Sequence, residues 1–405
     1  MVDPIPERAE DRLPRLLYVG DVPVEASLHG SALVHRLLES FPRDRLLIVE
    51  GSVGLSLPAR RLEGVQYREL PMGRERWLRT RFRRLVAGVM TLRASGLKSR
   101  VEELLGDFQP EAVLTVAHGF SWLTAAAFAR RRKLPLHLIV HDDWPAVANL
   151  PRPIRGWLGR RFASTYRQAS SRLCISPFMA EAFEQRYGAR GEVLYPSRAP
   201  GAPAWENPPA RVSENGRPLV FAFGGTINSV DQVRAIRQLA EALESISASL
   251  SIYGPFTSED AERVGLSRPN IRVCGLVPSA AFISTMRVEA DVLFVPMTFE
   301  SSVRSIAMTS FPSKLSDYTA AGLPLLIFAP PESSAVRWAQ ANQGTAEVVD
   351  TETGAGLEVA VRRLANDPGY RLELGRRALI VGREYFSDER AQQVLHRVLG
   401  RGLGE

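Results

Sequence analysis

The chain has 405 residues, too many for one typical domain and suited to two of about 200. Hydrophobic residues make up 45% and charged residues 23%, as in globular proteins with large cores, and no run of eighteen apolar residues exists to span a membrane. The net charge of +7 is unevenly placed: residues 1–200 carry 31 Lys and Arg against 21 Asp and Glu, and the remainder 20 against 23, so the first half faces something acidic or a membrane surface.

Met1 to Pro14 is charged and contains proline, with no apolar segment to serve as a signal peptide. The two cysteines, Cys174 and Cys274, lie in apolar strand-like runs and are expected to be buried thiols of a reducing compartment, not a disulfide or metal site. The expected location is therefore the cytoplasm.

Arg15 to Val19 reads as a strand ending at Gly20, and His29-Gly30 opens a helix with Leu33, Val34, Leu37 and Leu38 on one face. Further strands are expected at Leu46–Val49, Ala112–Val116, Leu136–Val140, Arg172–Ile175 and Glu192–Leu194, with helical patterns between most of them. Such alternation implies a parallel sheet covered on both faces, and ligands of such sheets sit at the carboxyl ends of the strands. Those ends carry Gly20-Asp21, His118-Gly119, His141-Asp142-Asp143 and Ser176-Pro177.

The segment from Arg74 to Arg100 has nine basic residues and one acidic residue, Glu75. Leu78, Phe82, Leu85, Val89 and Leu92 recur through it at helical spacing, beside Trp77. Such a helix either lies on anionic lipid or packs its apolar stripe on the domain and leaves the arginines in water. No nucleic-acid-binding module accompanies it.

From Tyr195 to Pro218 the periodicity disappears among prolines, glycines and serines, as in an interdomain linker. A second alternating series follows, with strands expected at Leu219–Phe223, Leu250–Tyr253, Ile271–Cys274, Val292–Val295, Leu325–Phe328 and Ala346–Val349. Helices near Gly354–Asn366, Tyr370–Arg383 and Asp388–Leu399 close the chain. The expected domains are 1–198 and 218–385, joined by a linker at 199–217. A closing helix in 386–405 has the option of packing back on the first domain.

Chemistry concentrates between Ser310 and Phe328. Ser310 is expected to cap a helix with Pro312 in its first turn, Gly322 to end it in a left-handed conformation, and Pro324 to prevent its continuation. Lys314 and Asp317 share a face one turn from free N–H groups that attract an anion. A nucleotide diphosphate suits them, with pyrophosphate at the amides and lysine and ribose hydroxyls on the carboxylate. An ordinary amphipathic helix with a surface ion pair fits the same pattern.

Two successive parallel α/β domains with a phosphate-type helix late in the second resemble the GT-B glycosyltransferases, and most of all the retaining family 4 group. Gly224-Gly225-Thr226 resembles that family's glycine turn after the first donor-domain strand, and Leu250 to Pro255 its apolar strand followed by Gly. Val273 to Pro278, Ala290 to Pro296, and Pro312-Ser313-Lys314 through Gly322-Leu323-Pro324 resemble further segments in the same order. The likeness covers nearly all of residues 219–400 and more weakly 15–195.

The family's two Glu separated by seven residues have Asp317 at the second, ribose-holding position and Thr309 at the first, sugar-contacting one. Its Arg and Lys after the glycine turn are absent from Thr226 to Gln232, which shifts phosphate charge onto Lys314 with Arg304. The implied donor site is thus Gly224, Gly225, Thr226, Arg304, Thr309, Ser313, Lys314 and Asp317.

His141 matches a family histidine near the acceptor and the reacting carbon, which with Lys314 makes the catalytic pair; a loop histidine bonded to nearby backbone is the plainer alternative. Gly30, His118, Asp142 and Asp143 are the acceptor-side candidates, with His118 equally suited to packing. No Asp-x-Asp pair occurs, so metal-free stabilisation by helix amides and Lys314 is expected, with no cofactor.

The resemblance implies a hexosyltransferase type of enzyme acting in a cleft between the domains. It would move sugar from a UDP- or GDP-type donor to a glycan or lipid-linked saccharide, as in polysaccharide biosynthesis, at the inner face of the membrane if the basic helix binds lipid. A nucleotide-sugar 2-epimerase of the same fold, and a non-catalytic nucleotide- or glycan-binding member, are the rivals.

Overall fold

The computed structural model describes residues 13–26, 30–73, 75–300 and 304–400. The chain folds as two compact units: one runs to Tyr195 and takes in the segment from Asp388 onward, and the other is Pro196–Ser387.

In the first unit the strands are β1 (Leu16–Gly20), β2 (Leu46–Gly51), β3 (Gln66–Leu70), β4 (Ala112–Val116), β5 (Leu136–Val140), β6 (Ser171–Cys174) and β7 (Glu192–Val193). They form one parallel sheet in the order β3-β2-β1-β4-β5-β6-β7. The helices are α1 (Gly30–Leu38), α2 (Arg83–Ala94), α3 (Lys98–Leu105), α4 (Ser121–Arg132), α5 (Trp144–Val147), α6 (Arg152–Gln168) and α7 (Pro177–Tyr187). Strand direction of travel reverses between β1 and β4, so the loops after these two strands part and leave a crevice at their carboxyl ends. Leu16 and Tyr18 point into one core, and Leu17 and Val19 into a second core that also holds Val101 and Phe128. Burial on both faces is why these strands read as unbroken apolar runs.

The strand β3 escapes the sequence reading. It is an edge strand, Gln-Tyr-Arg-Glu-Leu, with only Leu70 buried, and so lacks an apolar run.

The second unit has β8 (Val220–Gly224), β9 (Ser249–Tyr253), β10 (Ile271–Gly275), β11 (Val292–Pro296), β12 (Leu325–Phe328) and β13 (Ala346–Val349), parallel in the order β10-β9-β8-β11-β12-β13. Its helices are α8 (Val230–Glu244), α9 (Ser258–Val264), α10 (Ser279–Glu289), α11 (Arg304–Thr309), α12 (Lys314–Ala321), α13 (Ser334–Ala341), α14 (Gly354–Asn366) and α15 (Pro368–Phe386). The order reverses between β8 and β11, which opens the crevice beside Gly224. The closing helix α16 (Asp388–Gly400) contributes Leu395 and Leu399 to the first unit's core, beside Leu16 and Leu37. Its Gln392 amide donates to the Arg36 carbonyl at 3.1 Å.

Three local expectations need correction. The helix expected to start at Ser310 begins at Lys314, with Ser313 as a cap that makes no side-chain capping bond. Ser310 instead finishes α11, its amide donating to the Ile306 carbonyl at 2.8 Å. Pro312 disfavours helical backbone at Phe311 and so separates the two helices. Gly322 does end α12 with φ 70°. Cys174 is buried, but Cys274 is only half-buried because β10 is an edge strand.

The proline-rich stretch is also no free tether. Arg211 and Arg217 both bind the buried Asp291 carboxylate, at 3.1 and 2.6 Å, and Arg371 donates to the Val212 carbonyl at 2.9 Å. Burial alone would raise the Asp291 carboxyl, but bonds from Arg217 and the Val220 amide hold it below the usual range.

Candidate functional site

In the second unit the site is built around the turn after β8. Gly225 has φ 136°, a conformation that a side chain opposes, and its amide donates to the Tyr253 carbonyl at 2.8 Å. Gly254 (φ 152°) lies so close behind that a Cβ there would meet the Gly225 carbonyl oxygen at 2.2 Å. The backbone is therefore bare at the mouth of the crevice.

Lys314, the first residue of α12, reaches this turn. A Cβ on Gly225 would lie 3.4 Å from its Nζ, and the ammonium sits 3.8 Å from the centroid of the Phe223 ring. Among the described residues it has no carboxylate partner, and burial pushes it down to about 7. A desolvated cation beside bare backbone and a helix N-terminus is an arrangement that an incoming anion relieves.

Tyr318, one turn later, locks that geometry. Its hydroxyl accepts the Gly224 N–H at 2.6 Å and donates to the Gly224 carbonyl at 3.3 Å. Burial pushes the phenol well up, so it stays protonated. The sequence reading missed Tyr318, because a tyrosine inside an amphipathic helix looks like ordinary core.

Asp317 is half-buried on α12, and Thr226 is half-buried just past the glycine turn. Ser313 is exposed, with its carbonyl accepting the Ser316 hydroxyl at 2.8 Å. Thr309 is buried, and its hydroxyl donates back to the Ser305 carbonyl at 3.1 Å within α11. Arg304 is exposed and forms an ion pair with Glu332 in the loop after β12. The structure thus gathers Gly224, Gly225 and Lys314 tightly, while Arg304 and Thr309 already have local partners.

The first unit presents a second constellation. His141, at the end of β5, faces the start of α1: a Cβ on Gly30 would lie 3.0 Å from its Nδ1. Its Nε2 is buried and has no hydrogen-bond partner among the described residues. Burial pushes His141 down to about 4, against the opposing charge of Asp142, so the ring is neutral near pH 7. His118, at the end of β4, packs against Trp144 with ring centroids 4.3 Å apart and planes tilted by 44°, and is likewise lowered by burial. Asp142 is half-buried. Asp143 is buried and paired with Arg186 of α7, a contact that fixes the loop after β5. His29 lies outside the described residues.

Asp21, named in the sequence only as a strand end, holds this corner together. Its carboxylate accepts the amides of Phe120 and Ser121, the latter at 2.8 Å, and the Ser121 hydroxyl at 2.6 Å. A carboxylate one hundred residues away thus caps α4 and sets the turn that carries His118.

Residues 56–197 match the profile of Glycosyltransferase Family 4. No curated protein sequence matches the chain. Among solved structures, Anabaena HepE in complex with UDP and glucose is similar at 13% identity and TM-score 0.65, over 95% of this chain and 99% of that one. Sucrose-phosphate synthase from Thermosynechococcus elongatus is similar at 13% identity and TM-score 0.68, over 96% and 98%. The α,α-trehalose 6-phosphate synthase from Burkholderia multivorans is similar at 12% identity and TM-score 0.64, over 95% and 97%.

The fold is that of the GT-B proteins, and its residues 56–197 match the profile of Glycosyltransferase Family 4. The resemblance to GT-B glycosyltransferases is borne out by the fold and by the family 4 profile, whose match falls in the N-terminal half, where fewer motifs are legible.

Proposed function

We propose that this protein is a hexosyltransferase that moves a sugar from a UDP- or GDP-type nucleotide-sugar to a glycan or lipid-linked saccharide, with retention and without a metal ion. The observation that carries the reading is Lys314, a half-buried cation without an acidic partner among the described residues, poised over Phe223 beside Gly225. Diphosphate at this point would restore its full charge. Lys314 and the α12 amides would then stabilise the leaving group as the glycosidic bond breaks. The UDP bound by Anabaena HepE supports a uridine donor.

On the acceptor side, a neutral His141 with a bare Nε2 can fix a hydroxyl or shield developing charge. Among the described residues no helix is long and apolar enough to cross a membrane. We place the protein in the cytoplasm, meeting a lipid-linked acceptor at the inner membrane face.

The decisive experiment incubates the purified protein with a panel of nucleotide-sugars, with and without candidate acceptors, and resolves the products. Transfer or slow donor hydrolysis supports the reading. Conversion of one nucleotide-sugar into its 2-epimer identifies the epimerase alternative. Binding without turnover identifies a non-catalytic member, to which Thr309, occupied within its own helix, lends support.

A further inference from the structure

We infer that α2 and the turn before it form a docking face for an anionic phospholipid surface. This deepens the reading above by naming where a lipid-borne acceptor is met, and rests on that reading only for its purpose.

The packing of α2 decides which side faces outward. Met90, Thr91 and Ala94 are buried, and Gly88 approaches α6 so closely that a Cβ would meet Ile154 Cδ1 at 2.6 Å. The opposite side, Phe82, Leu85, Val89 and Leu92, is left between 39% and 62% exposed, and Trp77 stands 43% exposed beside it. An apolar stripe at helical spacing, turned to solvent, marks an interaction surface.

Charge surrounds this stripe. A concavity of about 490 Å³ is lined by Leu78, Arg79, Thr80, Arg81, Arg83 and Arg84. Thr80 shapes the turn there, its hydroxyl donating to the Trp77 carbonyl at 2.7 Å and accepting the Phe82 amide at 3.2 Å. Among the described residues Arg79, Arg81 and Arg83 have no acidic partner, and the Arg81 guanidinium lies 4.9 Å from the Phe82 ring centroid.

A cup of guanidinium groups fits a phosphate headgroup, and the aliphatic side chains beside it fit the acyl boundary below. Leu85, Val89 and Leu92 offer no stacking face for bases, and a free anion has no use for them. The occupant is therefore a bilayer that carries anionic lipid.

The test is sedimentation with vesicles of phosphatidylcholine, with or without phosphatidylglycerol, at physiological salt. Wild-type protein is expected to sediment with the anionic vesicles alone. Arg79→Glu/Arg81→Glu/Arg83→Glu is expected to lower partitioning about a hundredfold or more, since each arginine near such a surface is worth about fivefold. Phe82→Ser/Leu85→Ser, at exposed positions that keep the melting temperature, is expected to lower it about tenfold or more.

Failure of wild-type protein to sediment, or binding indifferent to Phe82→Ser/Leu85→Ser, overturns the docking face. Loss of vesicle binding to competing inorganic phosphate would overturn it too, because that marks a simple anion site. Nucleotide-sugar turnover on a soluble acceptor is scored separately, so failure of the docking face and failure of the transferase reading are told apart.

Discussion

The Lys314 ammonium nitrogen lies 3.8 Å from the centroid of the Phe223 ring, and the desolvation it meets at this position sets the pH response of the candidate donor site. Burial drops the lysine to about 7. Below that pH it is charged, and above it the empty site sheds the proton. An anion bound beside it restores the higher value. Diphosphate affinity is therefore highest below pH 7 and falls up to about tenfold per pH unit above it. Calorimetry of UDP at pH 8, in buffers of different ionisation enthalpy, should show uptake of nearly one proton. Absence of uptake would mean that Lys314 does not meet the phosphates.

Lys314→Ala should weaken nucleoside diphosphate binding far more than nucleoside binding. Equal losses for both ligands would point instead to general damage to α12. Stability supplies an independent check. Because the folded-state value lies below the unfolded one, the wild-type protein loses stability as pH falls from the unfolded lysine range toward 7. The variant should lack that component of the pH-stability curve.

Tyr318→Phe removes the hydroxyl that accepts from and donates to Gly224. A buried Gly224 amide left without its partner costs about 1–3 kcal/mol. Thermal unfolding should register that loss, and UDP affinity should fall with it because the glycine turn relaxes. A variant that melts like wild type would show that the turn is held by strand pairing alone.

Much of this was legible in sequence, for identifiable physical reasons. Apolar runs such as Leu136–Val140 and Leu325–Phe328 announced their strands because both faces of each sheet are covered. The turn at Gly224-Gly225 was legible because close backbone approach leaves few residue types a choice. What stayed hidden depends on long-range contact. Asp21 caps a helix across one hundred residues, Tyr318 reaches back ninety-four, and Arg186 meets Asp143 across forty-three. No local pattern encodes such pairings. Ser310 misled for a different reason: its hydroxyl and the following Pro312 look like a helix start, but the chain was still leaving α11.

Asp317→Asn keeps the shape of a side chain half-buried on α12 and removes its charge. If the carboxylate holds ribose hydroxyls, charge-assisted bonds worth about 1.5–3 kcal/mol are weakened, and nucleotide affinity falls more than tenfold with the melting temperature preserved. Unchanged UDP affinity by calorimetry would remove Asp317 from the donor site.

His141 supplies the last prediction. Its ring faces Gly30, its Nε2 is buried without a hydrogen-bond partner among the described residues, and burial keeps it neutral down to about pH 4. A neutral imidazole so placed can donate to a developing charge or orient a hydroxyl, and its effect should be constant across the neutral range. Asp21, not His141, ties β1 to α4, so the histidine can be removed without breaking that corner. His141→Ala should therefore cut turnover by about a hundredfold or more, within the span of positioning and acid–base effects. UDP affinity should hardly change, since the residues proposed for the nucleotide lie in the other unit. Normal turnover with weakened UDP binding would assign His141 to the donor and reverse this division of roles.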